Sequence, residues 1–431
     1  MAFRPDRALA LVTAAIIIVA GLQHARDAGA STIHVEAGGG HLVQALAAAV
    51  PGDHLLLQPG THNGPATIDK PLTLTGEPGA EIDGHGQGSV ITVRAADVTV
   101  RNISVVNSGI SLEHSDAGIF LGKASKRTHI EANRLANNLF GVYIHGAIDS
   151  VVRDNIITGR SDLRMNERGN GVHLWNAPGT IIEGNSVRYG RDGIFATTSK
   201  RNVFRNNTLR DLRFAIHYMY TNHSEISGNV SEGNHVGFAL MYSRGLLVTG
   251  NSSIGDRDHG ILINFGNRSK FVDNTVRGAG KCVFIYNANR NVFRGNQFEN
   301  CGIGIHFTAG SEGNEIYANA FISNTTQVKY VGTRWQDWSK DGTGNYWSDN
   351  ISFDLDADGI ADTLYKPNDM VDQVLWRHPL AKHLLASPAI KVLRWAQDQF
   401  PAIHPGGVID STPLMQPASR PGAEPTMEAA G

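Results

Sequence analysis

Residues 193–254 contain one pattern three times: GIFATTSKRNVFRNNTLR at 193–210, AIHYMYTNHSEISGNVSE at 215–232 and GFALMYSRGLLVTGNSSI at 237–254. The same pattern extends from Ile130 to Phe321. Its marker asparagines are 22 or 23 residues apart except for one interval of 30: Asn133, Asn155, Asn185, Asn207, Asn229, Asn251, Asn274, Asn296 and Asn319. A fixed period of this length with short β-like runs is typical of stacked-strand solenoids. We therefore expect an all-β fold, a right-handed parallel β-helix of about 22 residues per coil.

Apolar residues recur in the same slots of each copy. The first and third positions after a small residue are nearly always apolar, as in Ile194 and Ala196 or Phe238 and Leu240. Strand side chains alternate between faces, so these slots should face the core, and the second and fourth should face outward. Coils stack about 4.8 Å apart, which brings equivalent slots into contact. We expect the asparagines to form a ladder at an inner turn, and we interpret Asn-x-Ser/Thr at Asn229 as turn chemistry, not glycosylation.

The composition limits the function classes. The chain has 431 residues and a formal net charge of −2, which argues against a general nucleic-acid binder. Its two cysteines, Cys282 and Cys301, are 19 residues apart. They can form a disulfide only if the turn between them brings their Cα atoms within about 7 Å. Without a CxxC motif, they do not predict a zinc site.

The N-terminus resembles a secretory signal. Arg4 and Arg7 precede an apolar run from Ala8 to Ala20, and Ala28-Gly29-Ala30 follows. We interpret residues 1–30 as a cleavable secretory signal peptide, which predicts an extracytoplasmic location. The apolar run is short for a membrane span, and an uncleaved anchor is the alternative.

The remaining chain divides by composition. We expect residues 31–129 to form an N-terminal cap, with a short helix at 41–50, and the first irregular coils. Regular coils should occupy residues 130–325. Residues 326–410 should form a Trp-rich and helical extension that wraps the side or end of the column. Residues 411–431 are rich in Pro, Ser, Gly and Ala and are expected to be disordered.

Three residues are candidates for contacting a protein partner. Met165 lies in the segment Arg160–Arg168, where the repeat is eight residues longer than elsewhere, and we expect this segment to project from the column as a loop. Trp335 and Trp338 lie in the Trp-rich extension. A helical segment is expected at Leu380–Phe400, interrupted at Pro388.

The outward slots form a stripe that contains no Asp or Glu. Within it, the repeat stacks Met219 over Met241, with His217 beside Met219. Two thioethers and an imidazole are soft donors suited to Cu(I). His223 and His235 are further histidines that could approach this patch. The alternative is that another segment, such as the Trp-rich one, covers the stripe and the methionines are packing residues.

A second candidate metal site lies near the C-terminus. Asp354, Asp356, Asp358, the Ile360 carbonyl and Asp362 match positions 1, 3, 5, 7 and 9 of a calcium loop. Position 12 is Tyr365, so a bidentate carboxylate would have to come from Asp369 or Asp372. The alternative is a solvated acidic turn.

Five segments carry a resemblance to a known family: MYTNHS at 219–224, ALMYS at 239–243, FIYNAN at 284–289, QVKYVGT at 327–333 and GNYWSD at 344–349. They resemble NosD proteins, whose repeats are similar to β-helical carbohydrate-binding and sugar-hydrolase repeats. The resemblance extends from about residue 32 to Pro417. It implies a periplasmic protein of nitrous oxide respiration that works with an ABC transporter, the ATPase NosF and the membrane subunit NosY. It also implies the copper chaperone NosL as donor and apo nitrous oxide reductase, with its copper–sulfide centre, as recipient.

Three function classes follow. The first is a non-enzymatic maturation factor that accepts and presents Cu(I). The second is a polysaccharide lyase or epimerase, since many parallel β-helices act on acidic sugars. Such reactions need clustered carboxylates and a base, which the stripe lacks. The third is a structural adaptor that binds only proteins, for which replacing both methionines would change nothing.

Overall fold

The computed structural model describes residues 30–308, 310–332, 334–367, 371, 380, 384, 387–399 and 406–418. The expected signal peptide therefore lies outside it, except for Ala30. The described chain forms a right-handed parallel β-helix, which confirms the predicted fold. Each regular coil contributes one strand to each of three parallel sheets.

Sheet 1 contains the strands that precede the marker asparagines. Its 13 strands are Thr32–Val35, His54–Leu57, Thr73–Gly76, Thr99–Arg101, His129–Glu131, Val151–Arg153, Ile181–Glu183, Val203–Arg205, Glu225–Ser227, Leu247–Thr249, Lys270–Val272, Val292–Arg294 and Glu315–Tyr317. Sheet 2 contains the strands that follow the asparagines. Its 13 strands are Gly60–Asn63, Ala80–Asp83, Ser104–Val106, Arg134–Ala136, Ile156–Thr158, Ser186–Arg188, Thr208–Arg210, Val230–Glu232, Ser252–Ile254, Thr275–Arg277, Gln297–Glu299, Ala320–Ile322 and Tyr346–Trp347.

Sheet 3 contains the longest strands and the predicted stripe. Its 12 strands are Ala66–Ile68, Ile91–Val93, Ala117–Leu121, Phe140–His145, Val172–Trp175, Asp192–Thr197, Phe214–Met219, Val236–Met241, His259–Asn264, Lys281–Tyr286, Ile303–Thr308 and Thr326–Val331. Its first and third slots are buried, as predicted: Ile194 pairs with Ile216, and both are 0% exposed. Tyr218 occupies a third slot and is also buried, with its ring 5.0 Å from that of Phe204.

The asparagine ladder is present along the column. In a representative step, Oδ1 of Asn229 accepts hydrogen bonds from the backbone N–H of Asn207 at 3.1 Å and from its Nδ2 at 2.9 Å. Nδ2 of Asn229 donates to the carbonyl of Phe204 at 2.8 Å. Asn229 is 0% exposed, so it has a structural role at this turn. The ladder satisfies backbone groups that the turn would otherwise bury unpaired.

The N-terminal end is covered by the helix His41–Ala48, whose Leu42 and Leu46 are buried against the first coils. Lys70 Nζ donates to the carbonyls of Leu46 and Ala47 at the end of this helix. Coils expected to be irregular before residue 130 already contribute paired strands to all three sheets.

The C-terminal end differs from our expectation. The repeat does not stop near residue 325, because Thr326–Val331 and Tyr346–Trp347 are the last strands of sheets 3 and 2. Asn345 continues the ladder, accepting the backbone N–H of Asn319 at 3.1 Å. The Trp-rich segment thus completes the final coil at the end of the column, one of the two positions that we expected, and does not cover its side.

The first residues of the predicted disordered tail are ordered, because Leu414 forms β-bridges with Tyr346 and Ile360. Gly407–Ile409 pairs with Trp335–Asp337, and Asp410 is 0% exposed. The Asp410 carboxylate accepts the backbone N–H of Asn345 at 2.7 Å and Nε1 of Trp347 at 2.8 Å. It therefore ends the ladder, a role that composition alone did not reveal. Residues 419–431 lie outside the described part.

Two further features complete the fold. The helix Pro388–Gln399 begins at the proline that we expected to interrupt it, consistent with the tolerance of helix first turns for proline. Cys282 and Cys301 form a disulfide with their Cα atoms 5.7 Å apart. None of the described helices is both long and apolar enough to span a membrane.

Candidate functional site

The candidate site lies on the outer face of sheet 3. Met219 and Met241 are register partners on adjacent strands, as the repeat predicted, and both are half-buried. The Trp-rich segment completes the final coil of the column, and its sheet 3 strand is four strands from that of Met241. It therefore does not provide the cover proposed in the packing alternative.

His217 is the most deeply buried of the proposed copper ligands, at 7% exposed. Its Nδ1 lies 3.0 Å from Oδ2 of Asp192, and a carboxylate can only accept, so Nδ1 carries the proton. Its Nε2 is buried and has no hydrogen-bond partner among the described residues. In the neutral ring, Nε2 therefore has a lone pair available for a metal ion.

Asp192 belongs to the candidate site and was not predicted from the sequence. It is 1% exposed and precedes the Gly193-Ile194 marker, just outside the slots used to define the stripe. Its two oxygens also accept Nε and Nη2 of Arg213, at 2.8 and 2.7 Å. Burial alone would raise the pKa of Asp192, but the hydrogen bonds from His217 and Arg213 outweigh it and lower that pKa. Asp192 is thus a buried anion held by two donors.

The other two histidines do not join His217. His223 is exposed in the turn beyond the C-terminal end of the strand Phe214–Met219. His235 lies at the opposite end, where its backbone N–H donates to the carbonyl of Leu212. The register places Met219 beside Met241, with His217 two residues before Met219 on the same strand. His223 lies beside Gly245 of the next coil.

A cavity of about 290 Å³ lies against this part of the sheet. His217 and Met219 line it, together with Leu112, Phe140, Arg168, Gly169, Asn170, His173, Arg191, Asp192, Phe195 and Arg213. The insertion Arg160–Arg168 therefore does not simply project from the column. Its Leu163 packs against the buried Ala117, Leu139 and Phe140, and its Arg168 forms part of the cavity wall.

His173 is a neutral member of the cavity wall. Asn170 Oδ1 accepts the backbone N–H of Asp192 at 3.1 Å, which directs its Nδ2 to Nδ1 of His173 at 3.0 Å. The proton of neutral His173 therefore lies on Nε2. Burial lowers the pKa of His173 to about 4, against the opposing effect of Asp192, so the ring is uncharged at neutral pH.

The acidic loop near the C-terminus has the compact geometry that a cation site needs. Carboxylate oxygens of Asp354, Asp356 and Asp358 lie within 4.8 Å of one another. Asp354 accepts the backbone N–H groups of Asp358 and Gly359, and Asp362 accepts that of Leu355. Tyr365, at position 12, donates its hydroxyl to Asp349 instead. Asp369 and Asp372 lie outside the described residues.

The three residues predicted to contact a partner differ in their exposure. Trp338 is 1% exposed and packs in the core against Phe307 and Phe321, so the expectation that it contacts a partner was wrong. It fills the end of the column, where no further coil follows among the described residues. Trp335 is 42% exposed and Met165 is half-buried, so both side chains have solvent-accessible surface for contact with a partner.

Comparisons with known proteins give the family context. Residues 153–351 match the family described as "Periplasmic copper-binding protein (NosD)". The chain is 43% identical over 383 residues to a probable ABC transporter binding protein NosD of Pseudomonas aeruginosa, covering 86% of this chain and 89% of that protein. The corresponding protein of Stutzerimonas stutzeri is 42% identical over 375 residues, covering 84% and 86%.

A solved structure supports the fold alone. The surface adhesin PfbA of Streptococcus pneumoniae superposes with a TM-score of 0.54 at 10% identity, covering 67% of this chain and 94% of that one. The sequence relationships, in contrast, extend over most of both chains. This chain belongs to the NosD family.

Proposed function

We propose that this chain is a periplasmic maturation factor that accepts Cu(I) at His217, Met219 and Met241 and presents it to a partner. The observation that carries the proposal is the buried, unpaired Nε2 of His217, which belongs to the same cavity wall as Met219. Asp192 orients the ring through Nδ1, an arrangement that commonly supports metal-bound histidines. The family description as copper-binding and periplasmic supports the same function.

Cu(I) would act here as cargo. Thioether ligands are neutral and soft, so they suit Cu(I) without binding it as tightly as thiolates. Met219 and Met241 are half-buried, which leaves them accessible to a donor and a recipient. His223 is exposed on the turn after Met219, so its proposed role is limited to early capture of the metal.

The proposed partners follow from the family. The relatives are named as ABC transporter binding proteins, which supports docking to a transporter composed of NosF and NosY. We propose NosL as copper donor and apo nitrous oxide reductase as recipient, with Trp335 and Met165 as contact residues. A lyase or epimerase has less support, since the one carboxylate among the described lining residues, Asp192, is held by Arg213 and His217.

X-ray absorption at the copper edge tests the ligand set. The Cu(I)-loaded protein should show both sulfur and nitrogen scatterers. His217→Ala should lose the nitrogen contribution, and Met219→Ala should lose part of the sulfur contribution. A wild-type spectrum without sulfur would contradict the proposal.

We also propose that the loop from Asp354 to Asp362 binds a structural Ca²⁺. Three carboxylates within 4.8 Å repel one another unless a cation binds between them. The backbone donors to Asp354 hold the loop in a compact form before the ion arrives.

A further inference from the structure

The side chain of Arg191 has no partner among the residues that the structure describes. It lines the cavity beside His217, and its Nε is buried without a hydrogen bond. No ion pair joins its guanidinium to another described residue. A buried guanidinium N–H without an acceptor is costly, because the group gives up hydration without replacement. The cavity therefore offers an unused charged donor.

Two more arginines surround the same space and are held in place. Arg168 donates Nε to the carbonyl of Leu163 at 2.8 Å and Nη2 to that of Ser161 at 3.1 Å. Arg213 uses the same two nitrogens on Asp192. In both side chains Nη1 is left for another acceptor. These arginines are thus positioned by the protein before any ligand arrives.

The charges in the cavity do not balance. Arg168, Arg191 and Arg213 contribute three positive charges, and Asp192 contributes one negative charge, so the lining carries +2. His173 adds no charge at neutral pH but presents an N–H on Nε2. Positive charge of this kind in a partly enclosed cavity attracts anions strongly, because the surrounding dielectric is low.

We propose that this cavity binds a small inorganic oxyanion, with Arg191 as the principal ligand and Arg168 and Arg213 as flanking donors. Guanidinium groups match the geometry of oxyanions through paired N–H donors. The cavity, at about 290 Å³, has room for an ion of the size of sulfate and several water molecules. The site shares its wall with the proposed copper site but does not depend on copper.

Isothermal titration of sodium sulfate into the copper-free full chain, at constant ionic strength, tests this site. Wild type should bind one sulfate per chain. Arg191→Met should weaken binding by roughly tenfold or more, and Arg191→Lys should fall between the two because it keeps the charge and loses the paired donors. Arg210→Met, at an exposed arginine of sheet 2, is the matched control and should bind as wild type does.

The outcome is independent of the copper proposal. Absence of saturable binding in wild type overturns the oxyanion site, as does equal affinity in wild type and Arg191→Met at unchanged thermal midpoints. If Arg191→Met does not fold, Arg191→Lys decides by the same comparison. Met241→Ala removes a proposed copper ligand that does not line the cavity, so this variant should retain sulfate binding even if it loses copper binding. Loss of sulfate binding in Met241→Ala, with the fold intact, contradicts our assignment to the arginines.

Discussion

Nδ1 of His217 donates to the buried carboxylate of Asp192 at 3.0 Å, across adjacent strands of sheet 3. Arg213 holds the same carboxylate through two bonds of 2.8 and 2.7 Å. These bonds fix the orientation and the tautomer of the imidazole. The neutral ring therefore carries its free lone pair on Nε2. This relationship would preorganise His217 for the copper-binding role that we propose.

Replacing the carboxylate should weaken copper binding without removing a ligand. We expect Asp192→Asn to lower Cu(I) affinity by roughly 10- to 100-fold, as is usual when the partner of a metal-bound histidine is lost. Competition with a chromogenic Cu(I) chelator measures the effect. Asp211→Asn, at an exposed aspartate nearby in sequence, is the control and should bind as wild type does. Unchanged affinity in a folded Asp192→Asn protein would count against the role of Asp192.

Breaking one step of the asparagine ladder should destabilise the column. Asn229→Ala removes the acceptor of the buried backbone N–H and Nδ2 of Asn207, and it removes one donor to the carbonyl of Phe204. We expect a loss of about 2–4 kcal/mol in unfolding free energy, since each unsatisfied buried group costs about 1–3 kcal/mol. Urea unfolding followed by circular dichroism measures it. Asn166→Ala in the exposed insertion should change stability by less than about 0.5 kcal/mol.

Stability should fall as the pH drops from about 6.5 to 4. Burial lowers the pKa of His173 to about 4 in the folded protein, whereas the unfolded chain has an ordinary histidine pKa of 6.5. Between these values the unfolded state binds more protons, so acidification favours unfolding.

His173→Gln cannot be protonated there. Between pH 7 and pH 4, its free energy of unfolding should therefore fall by less than that of wild type, with a difference of up to about 3 kcal/mol. Urea unfolding at several pH values measures the difference, and His34→Gln, at an exposed histidine, is the control. If the unfolding free energies of wild type and His173→Gln change with pH in parallel, the assignment to His173 is contradicted. His259 and His306, whose pKa values burial also lowers to about 4, should keep part of the dependence in both proteins.

Calcium should stabilise the C-terminal loop. At a free concentration 100 times the dissociation constant, one bound ion contributes about 2.7 kcal/mol, which raises the thermal midpoint. Scanning calorimetry with calcium or with a chelator measures the shift. Asp356→Asn should reduce it, whereas Asp211→Asn should not. Equal midpoints with calcium and with chelator would show that the loop is only an acidic turn.

The periodic part of the chain was predictable because a β-helix places residues 22 apart in contact. That relation alone pairs Met219 with Met241 and buries Asn229 in the ladder. Asp192 and Arg213 were not predicted as site residues because they precede the slots that define the stripe. Their contact with His217 depends on side-chain direction across neighbouring strands, which slot order does not specify.

The ends and the insertion were less predictable for a related reason. Trp338 and Asp410 fill and close the last coil, a requirement that appears only where the repeat has no next neighbour. Arg168 reaches the cavity because Leu163 anchors its loop on a small apolar cluster around Phe140. Neither feature follows from composition or periodicity.

The most direct test is the Cu(I) affinity of wild type and of Met219→Ala/Met241→Ala, measured in competition with a chromogenic chelator. We predict that wild type binds one Cu(I) and that the double variant, at an unchanged thermal midpoint, does not compete. Equal binding by both proteins, or none by wild type, would contradict the copper site and favour an adaptor that binds only other proteins.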